Sequence, residues 1–292
     1  PDGENVVMRI LNPKAIDVKF SELGMQPWVS QAMETEMNRP NGMILTTGPT
    51  GSGKTTTLYT FLRTIYDPTI KIITLEDPIE YHLKGIAQTQ VDSEKGYDFA
   101  NGLRSIVRQD PDVILVGEIR DLETADIALQ AALTGHLVFS TLHTNDAAGT
   151  IPRLIDLGVK PQSIAPALNV TMAQRLIRKL CVHCRSQAQL TDQQKKAIDA
   201  EFLNFPKNVI IPQVTEWKIF TVTQSGCDAC SHTGYKGRLG IFEIIFIDET
   251  IEKLIMTNPS EFDIKKGAIA QGQITMRQDG IFKVFQGIIG LE

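Results

Sequence analysis

Gly48-Pro-Thr-Gly-Ser-Gly53-Lys54-Thr55 fits the phosphate-loop pattern G-x-x-x-x-G-K-[ST] at every position. The residues before it, Gly42-Met-Ile-Leu-Thr-Thr47, read as a short buried strand, and Thr55 to Tyr66 read as a helix. Gly48, Gly51 and Gly53 let the backbone curl so that successive N–H groups face a phosphate, and the helix N-terminus adds its dipole. Pro49, Thr50, Ser52 and Thr56 complete the cradle. In this reading Lys54 meets the β- and γ-phosphates of a nucleoside triphosphate and the Thr55 hydroxyl holds Mg²⁺. A glycine-rich turn matching by chance is the bland alternative. A strand on one side and a helix on the other argue against it.

The bulk properties narrow the class. A chain of 292 residues can bury a full core, and its length suggests about two domains. Hydrophobic content of 42% and charged content of 22% are ordinary for a globular protein. A net charge of −5 gives no basic surface for nucleic acid, which is not expected as a partner. No run of about 18 apolar residues is present, so no membrane-spanning helix is expected. The opening Pro1-Asp-Gly-Glu is neither an initiator Met nor a signal peptide and reads as a cut from a longer chain.

Around the loop, strands and helices alternate. Expected strands are 43–47, 71–75, 112–116 and 137–141, with helices near 26–40, 54–66, 98–108 and 122–134. Apolar strands separated by helices predict an α/β fold with a parallel sheet covered on both faces. The pattern stops near Leu180. A cysteine-bounded segment follows, then a mostly helical tail with Asp248 and Ser260 as N-caps. Residues 4–11 read as one further strand.

Three motifs sit at expected carboxyl ends of strands, where open α/β sheets bind ligands. The first is Glu76-Asp77-Pro78-Ile79-Glu80, whose carboxylates are placed for Mg²⁺ or the attacking water; a solvated acidic turn is the alternative. The second, Asp112-Val-Ile-Leu-Val116-Gly117-Glu118, has glycine where an aspartate usually holds the metal. Glu118 is therefore the leading choice to orient or deprotonate water. The third carries His136 and His143 on either side of a strand. His143 suits a group touching the γ-phosphate, whereas His136 reads equally well as hydrogen-bonded within the fold. Arg9, Arg104, Arg108, Arg120 and Arg153 are candidates for neutralising phosphate charge, and sequence does not choose among them.

Cys181-Val-His-Cys184 and Cys227-Asp-Ala-Cys230 can each present two thiolates to one tetrahedral Zn²⁺. Closing the intervening loop costs on the order of 3 kcal/mol. A structural zinc site contributes roughly 10–16 kcal/mol, so the metal can hold the segment without a large core. Free or redox thiols are the alternative, and the spacing is wider than the usual zinc ribbon.

In this order, the motifs resemble the secretion ATPases that power type IV pilus assembly and type II secretion. The stretches that carry the resemblance are 48–55, Leu75-Glu-Asp-Pro-Ile-Glu80, 108–121, 134–146, Ala173-Gln-Arg-Leu176 and the four cysteines. It implies a RecA-like P-loop core over 39–180, preceded at 1–38 by the remnant of an N-terminal domain and linker. A tetracysteine module (181–240) and a truncated helical subdomain (241–292) would follow. It also implies a homo-hexamer with ATP between subunits, cytoplasmic and peripheral to the inner membrane through a platform protein and other assembly proteins. Glu76, Asp77 and Glu80 fall in the family's acidic box, Gly117-Glu118 in its second nucleotide motif, and His136 and His143 in its histidine box. Arg9 falls at the end of the preceding domain. The insert at 185–226 departs from the pattern. Other readings are a nucleic-acid-binding ring ATPase and a nucleotide-dependent scaffold of low turnover.

Overall fold

The computed structural model describes Gly3 and residues 17–203, 205–206, 218–223 and 225–291. The expected strand at 4–11, with Arg9, lies outside them. The alternation read from sequence forms as α1 (Pro27–Met37), β1 (Gly42–Thr47), α2 (Lys54–Ile65), β2 (Ile72–Glu76), β3 (Ala87–Gln90), α3 (Phe99–Val107), β4 (Val113–Val116), α4 (Leu122–Leu133) and β5 (Leu137–Leu142). Then come α5 (Thr150–Asp156), α6 (Pro161–Ala167), β6 (Leu168–Leu180), β7 (Ser186–Gln189), α7 (Asp192–Leu203), β8 (Lys218–Thr221) and β9 (Tyr235–Phe246). Helices α8 (Glu249–Ile255), α9 (Glu261–Gln271) and α10 (Met276–Phe285) close the chain.

Side-chain caps fix the helix starts. Asp98, Asp121, Asp248 and Ser260 each accept a bond from a first-turn amide, satisfying donors that a helix leaves open.

Seven strands form one sheet in the order β3-β2-β4-β5-β1-β6-β9, parallel throughout except for the antiparallel pair β6–β9. Alternate residues of each strand feed opposite faces. Met43 and Leu45 join a core with α3, α4, α6, α8 and α9, while Ile44 joins Met33, Leu58 and Phe61 under α1 and α2. Both faces are covered, so the central strands read as continuous apolar runs. β1 lies between β5 and β6, which brings the carboxyl ends of β1, β2, β4 and β5 along one edge.

The sheet does not stop at Leu180. β6 is 13 residues long and pairs with β9 from Val170–Phe246 to Leu180–Tyr235. The expected division at 240/241 therefore falls inside β9. The segment between the cysteine pairs carries the two-stranded sheet β7–β8 and α7. No helix among the described residues is long and apolar enough to cross a membrane.

Candidate functional site

The phosphate loop leaves β1 and enters α2 under tight steric limits. A Cβ on Gly48 (φ +141°) would lie 2.5 Å from the Gln174 carbonyl, and one on Gly53 (φ +94°) 2.9 Å from Gln174 Nε2. Glycine is required at both positions because the loop packs directly on β6. Thr57 Oγ1 donates to Gln174 Oε1 (2.8 Å), locking the first turn of α2 to that strand. Lys54 Nζ donates to the carbonyls of Gly48 (2.6 Å) and Pro49 (3.3 Å). Burial pushes the Lys54 ammonium below its ordinary pKa, and the nearby Glu118 carboxylate opposes that shift. Ser52 Oγ is buried and has no hydrogen-bond partner among the described residues. An unmatched hydroxyl and a glycine-lined cradle at a helix N-terminus are what a phosphate group would satisfy.

A cavity of about 490 Å³ opens over the loop. Thr50 to Thr56 line one side; Glu76, Asp77, Glu80, Gly117, Glu118, Thr141 and His143 line the others. Five of the residues read from sequence as catalytic (Lys54, Glu76, Glu80, Glu118 and His143) thus share one space.

Their environments differ. Glu76 is buried, and three neutral donors engage its carboxylate: Tyr59 Oη on one oxygen, Thr74 Oγ1 (2.5 Å) and Gln88 Nε2 (3.1 Å) on the other. Burial, and then the bond to Glu76, push the Tyr59 phenol far above its ordinary pKa, so it stays a donor. Glu118 has a side chain 15% exposed, paired with Arg120 and 3.4 Å from His143 Nε2. The hydrogen bond from Arg120 to Glu118 holds the guanidinium above its usual pKa. Gly117 has a steric cause: a Cβ there would lie 3.2 Å from the Leu75 carbonyl and 3.4 Å from Glu76 Cα. An aspartate at 117 would push into β2, and the carboxylate that lines the cavity belongs to the next residue, Glu118.

Other sequence candidates lie elsewhere. His136 sits at the amino end of β5, the edge away from the phosphate loop, with Nδ1 2.9 Å from the Ala131 carbonyl. Arg104 lies on α3 and pairs with Glu123, and Arg108 caps the same helix; neither lines the cavity of its own chain. Arg153, on α5, does not line it either. Two participants escaped the sequence reading, Tyr59 and Arg238, the latter on β9 and lining the cavity, while Gln174 entered it only within the stretch 173–176 and with no role. Helical periodicity would have signalled Tyr59, a polar-capable ring on the buried stripe of α2. Nothing local marks Arg238.

The four cysteines form a second cluster. Their sulfurs all lie within 4.8 Å of one another, with Cys181–Cys227 and Cys184–Cys230 at 3.8 Å and Cys227–Cys230 at 3.7 Å. A tetrahedron with Zn–S bonds of about 2.3 Å has edges of about 3.8 Å, so the thiols are compatible with one zinc ion. They are far beyond the S–S distance of about 2.05 Å in a disulfide. The Gly234 amide donates to Cys230 Sγ (3.2 Å), a bond that orients a thiolate ligand.

A seven-stranded, mostly parallel sheet whose inner strand ends in this loop, with acids on neighbouring strand ends, defines a RecA-like P-loop protein. Residues 1–292 match the family described as "Type II/IV secretion system protein", and the chain belongs to that family. It is 45% identical over 290 residues to the type II secretion system protein E of Aeromonas hydrophila, covering 99% of this chain and 55% of that protein. To the type IV pilus assembly ATPase PilB of Pseudomonas aeruginosa it is 42% identical over 290 residues, covering 99% and 49%. Among solved structures, the pilus retraction motor PilT with bound ADP superposes with a TM-score of 0.65 at 31% identity, over 94% of this chain and 65% of that one. The chain spans about half the length of the curated relatives it matches.

Proposed function

We propose that this chain hydrolyses ATP as the motor portion of a pilin- or pseudopilin-assembling machine of the type II secretion or type IV pilus kind. The observation that carries the reading is Glu118: a half-sequestered carboxylate held by Arg120 and His143 across one cavity from Lys54. Bound Mg²⁺ would neutralise charge on the phosphate oxygens, with the Thr55 hydroxyl as its protein ligand. The amides of residues 48–56 bind and orient the phosphates, and Lys54 leaves the loop carbonyls for them. Glu118 accepts a proton from the attacking water at a carboxylate oxygen, while Arg120 and His143 fix its rotamer. Glu76, already saturated by three donors, acts as a fixed negative charge, and Glu80 offers the more accessible acid.

The chain would work as a homo-hexamer on the cytoplasmic side of the inner membrane, driving a platform protein and its assembly partners. Similarity to protein E and PilB supports this. Arg104 and Arg108, which stand off the cavity of their own chain, would then serve the nucleotide of a neighbouring subunit, and Arg9 would contribute from the preceding domain. The sulfur geometry supports zinc as a structural ion at Cys181, Cys184, Cys227 and Cys230.

Glu118→Gln tests the reading. ATP binding should persist while turnover falls by roughly 10²–10⁴, the usual contribution of a positioned acid/base. Parental kcat in this variant, with Lys54→Ala inactive, would move the role to Glu80.

A further inference from the structure

The backbone on either side of His143 is held from two directions, one the strand that leads into the phosphate loop and the other the C-terminal elements. On the near side, Thr47, the last residue of β1 before the phosphate loop, accepts a bond from the Thr144 amide (2.7 Å) and donates to the Leu142 carbonyl (2.9 Å). On the far side, residues 144–149 meet the C-terminal elements through two polar contacts, each backed by a further bond. Asp146 Oδ1 accepts the Gly149 amide (2.8 Å), and its other oxygen pairs with Lys265 on α9 (2.8 Å). Lys265 also pairs with Glu261 (2.6 Å) on the same helix. The Ala147 amide donates to Glu243 Oε1 (3.0 Å) on β9, and Glu243 Oε2 accepts the Met276 amide (3.4 Å) at the start of α10.

These contacts suit positioning better than general surface pairing. A Cβ on Gly149 would lie 3.3 Å from both Asp146 Oδ1 and Glu261 Oε2, so α9 approaches the loop backbone closely. Ala147 and Ala148 are fully buried in the same core as Ile264 and Ala268 of α9. Burial pushes Glu243 above the ordinary carboxylate range, and the amides of Ala147 and Met276 oppose it. Burial also opposes ionisation of Asp146, but the bonds from Lys265 and Gly149 outweigh it and keep that acid charged. Glu243 faces Ala173 across the β6–β9 ladder, one residue before Gln174, which holds α2. The His143 loop and the phosphate loop are thus braced by neighbouring points of the same strand pair.

We infer that Asp146, Glu243 and Lys265 are positioning residues that set where His143 stands over the cavity, so that the seating of α9 and α10 controls turnover. The inference rests on the hydrolytic reading above. None of the three lines the cavity, so they act through the loop.

The test is a mutant cycle measured as ATP turnover of the full chain. Lys265→Met, at a side chain 42% exposed and tolerant of change, should lower kcat about 10-fold with KM for ATP unchanged, since displacing a reacting-site group by a fraction of an ångström costs on this order. Lys265→Arg should restore the rate. Asp146→Asn should act alike, and Lys265→Met combined with it should be no slower than either alone. In a His143→Ala background, Lys265→Met should have no further effect. Additive losses in that background, or full kcat in Lys265→Met, would overturn the inference while leaving hydrolysis intact. Parental turnover in Lys54→Ala would overturn the hydrolytic reading itself.

Discussion

Asp279 and Lys283, one turn apart on α10, are each 2% exposed, and removing the acid should be among the most destabilising single changes in the chain. Its carboxylate accepts Gln26 Nε2 (2.7 Å) before α1, the Phe242 amide (2.8 Å) in β9, and Lys283. Among the described residues Lys283 has one other acceptor, the Gly240 carbonyl (2.8 Å), with the Phe242 ring centroid 5.4 Å away. Asp279→Ala therefore leaves three donors without their acceptor, one of them a buried ammonium that keeps only that carbonyl and the ring face. Breaking a buried pair from one side costs about 3–5 kcal/mol. Because the urea m-value grows with chain size, about 3 kcal/mol/M suits this chain, and the midpoint should fall by about 1–2 M. Trp28 stacks edge-on to Phe282 of α10 at 6.0 Å, so tryptophan fluorescence should report the loss. Asp279→Leu with Lys283→Met, which removes both charges, should recover most of the stability. Burial already pushes Lys283 below its ordinary pKa, and Asp279 opposes it. Without Asp279 the folded state binds fewer protons than the unfolded state, so stability of Asp279→Ala should rise with pH between the folded and unfolded lysine pKa values. A midpoint shift below about 0.3 M, or a double variant no better than Asp279→Ala, would refute the reasoning.

Metal analysis should find one zinc per chain, and a chelator should loosen the segment around residues 181–235 first, read by hydrogen exchange; metal-free protein with that segment protected would contradict the site. Gly117→Ala should destabilise by about 1–3 kcal/mol, because its new methyl meets β2 backbone rather than a movable side chain. Thermal unfolding measures this, and an unchanged Tm would mean that β2 and β4 can part at no cost. Tyr59→Phe should cost about 1–3 kcal/mol by taking a donor from buried Glu76. It should also weaken turnover less than Glu118→Gln; the reverse order would make Glu76 the principal acid.

The parallel core was legible because its strands are buried on both faces and helical stretches separate them. The elements that escaped break those rules for physical reasons. β3, Ala-Gln-Thr-Gln, is a half-exposed edge strand with no apolar run. β6 begins as buried Leu-Asn-Val-Thr-Met-Ala-Gln and turns exposed at Arg175, where the helical cover ends and only β9 pairs with it. β9 opens with Tyr-Lys-Gly-Arg, which reads as a turn until its partner strand is known. The site followed the same division. The loop, Glu118 and His143 stand at strand ends that local pattern can locate. Gln174 meets the phosphate loop through the β1–β6 pairing and Arg238 reaches the cavity through the β6–β9 ladder, long-range pairings that periodicity does not encode.

That ladder has a mechanical consequence. Gln174 braces the phosphate loop, and six residues further along the same strand Leu180 delivers Cys181 to the thiol cluster. At about 3.3 Å per residue the two points lie about 20 Å apart on one stiff, doubly stranded arm. A tilt of about 5° at the nucleotide end would sweep the thiol end by about 1.7 Å over that length. The cysteine cluster is thus an outrigger of the sheet, carried wherever the phosphate loop turns its strand.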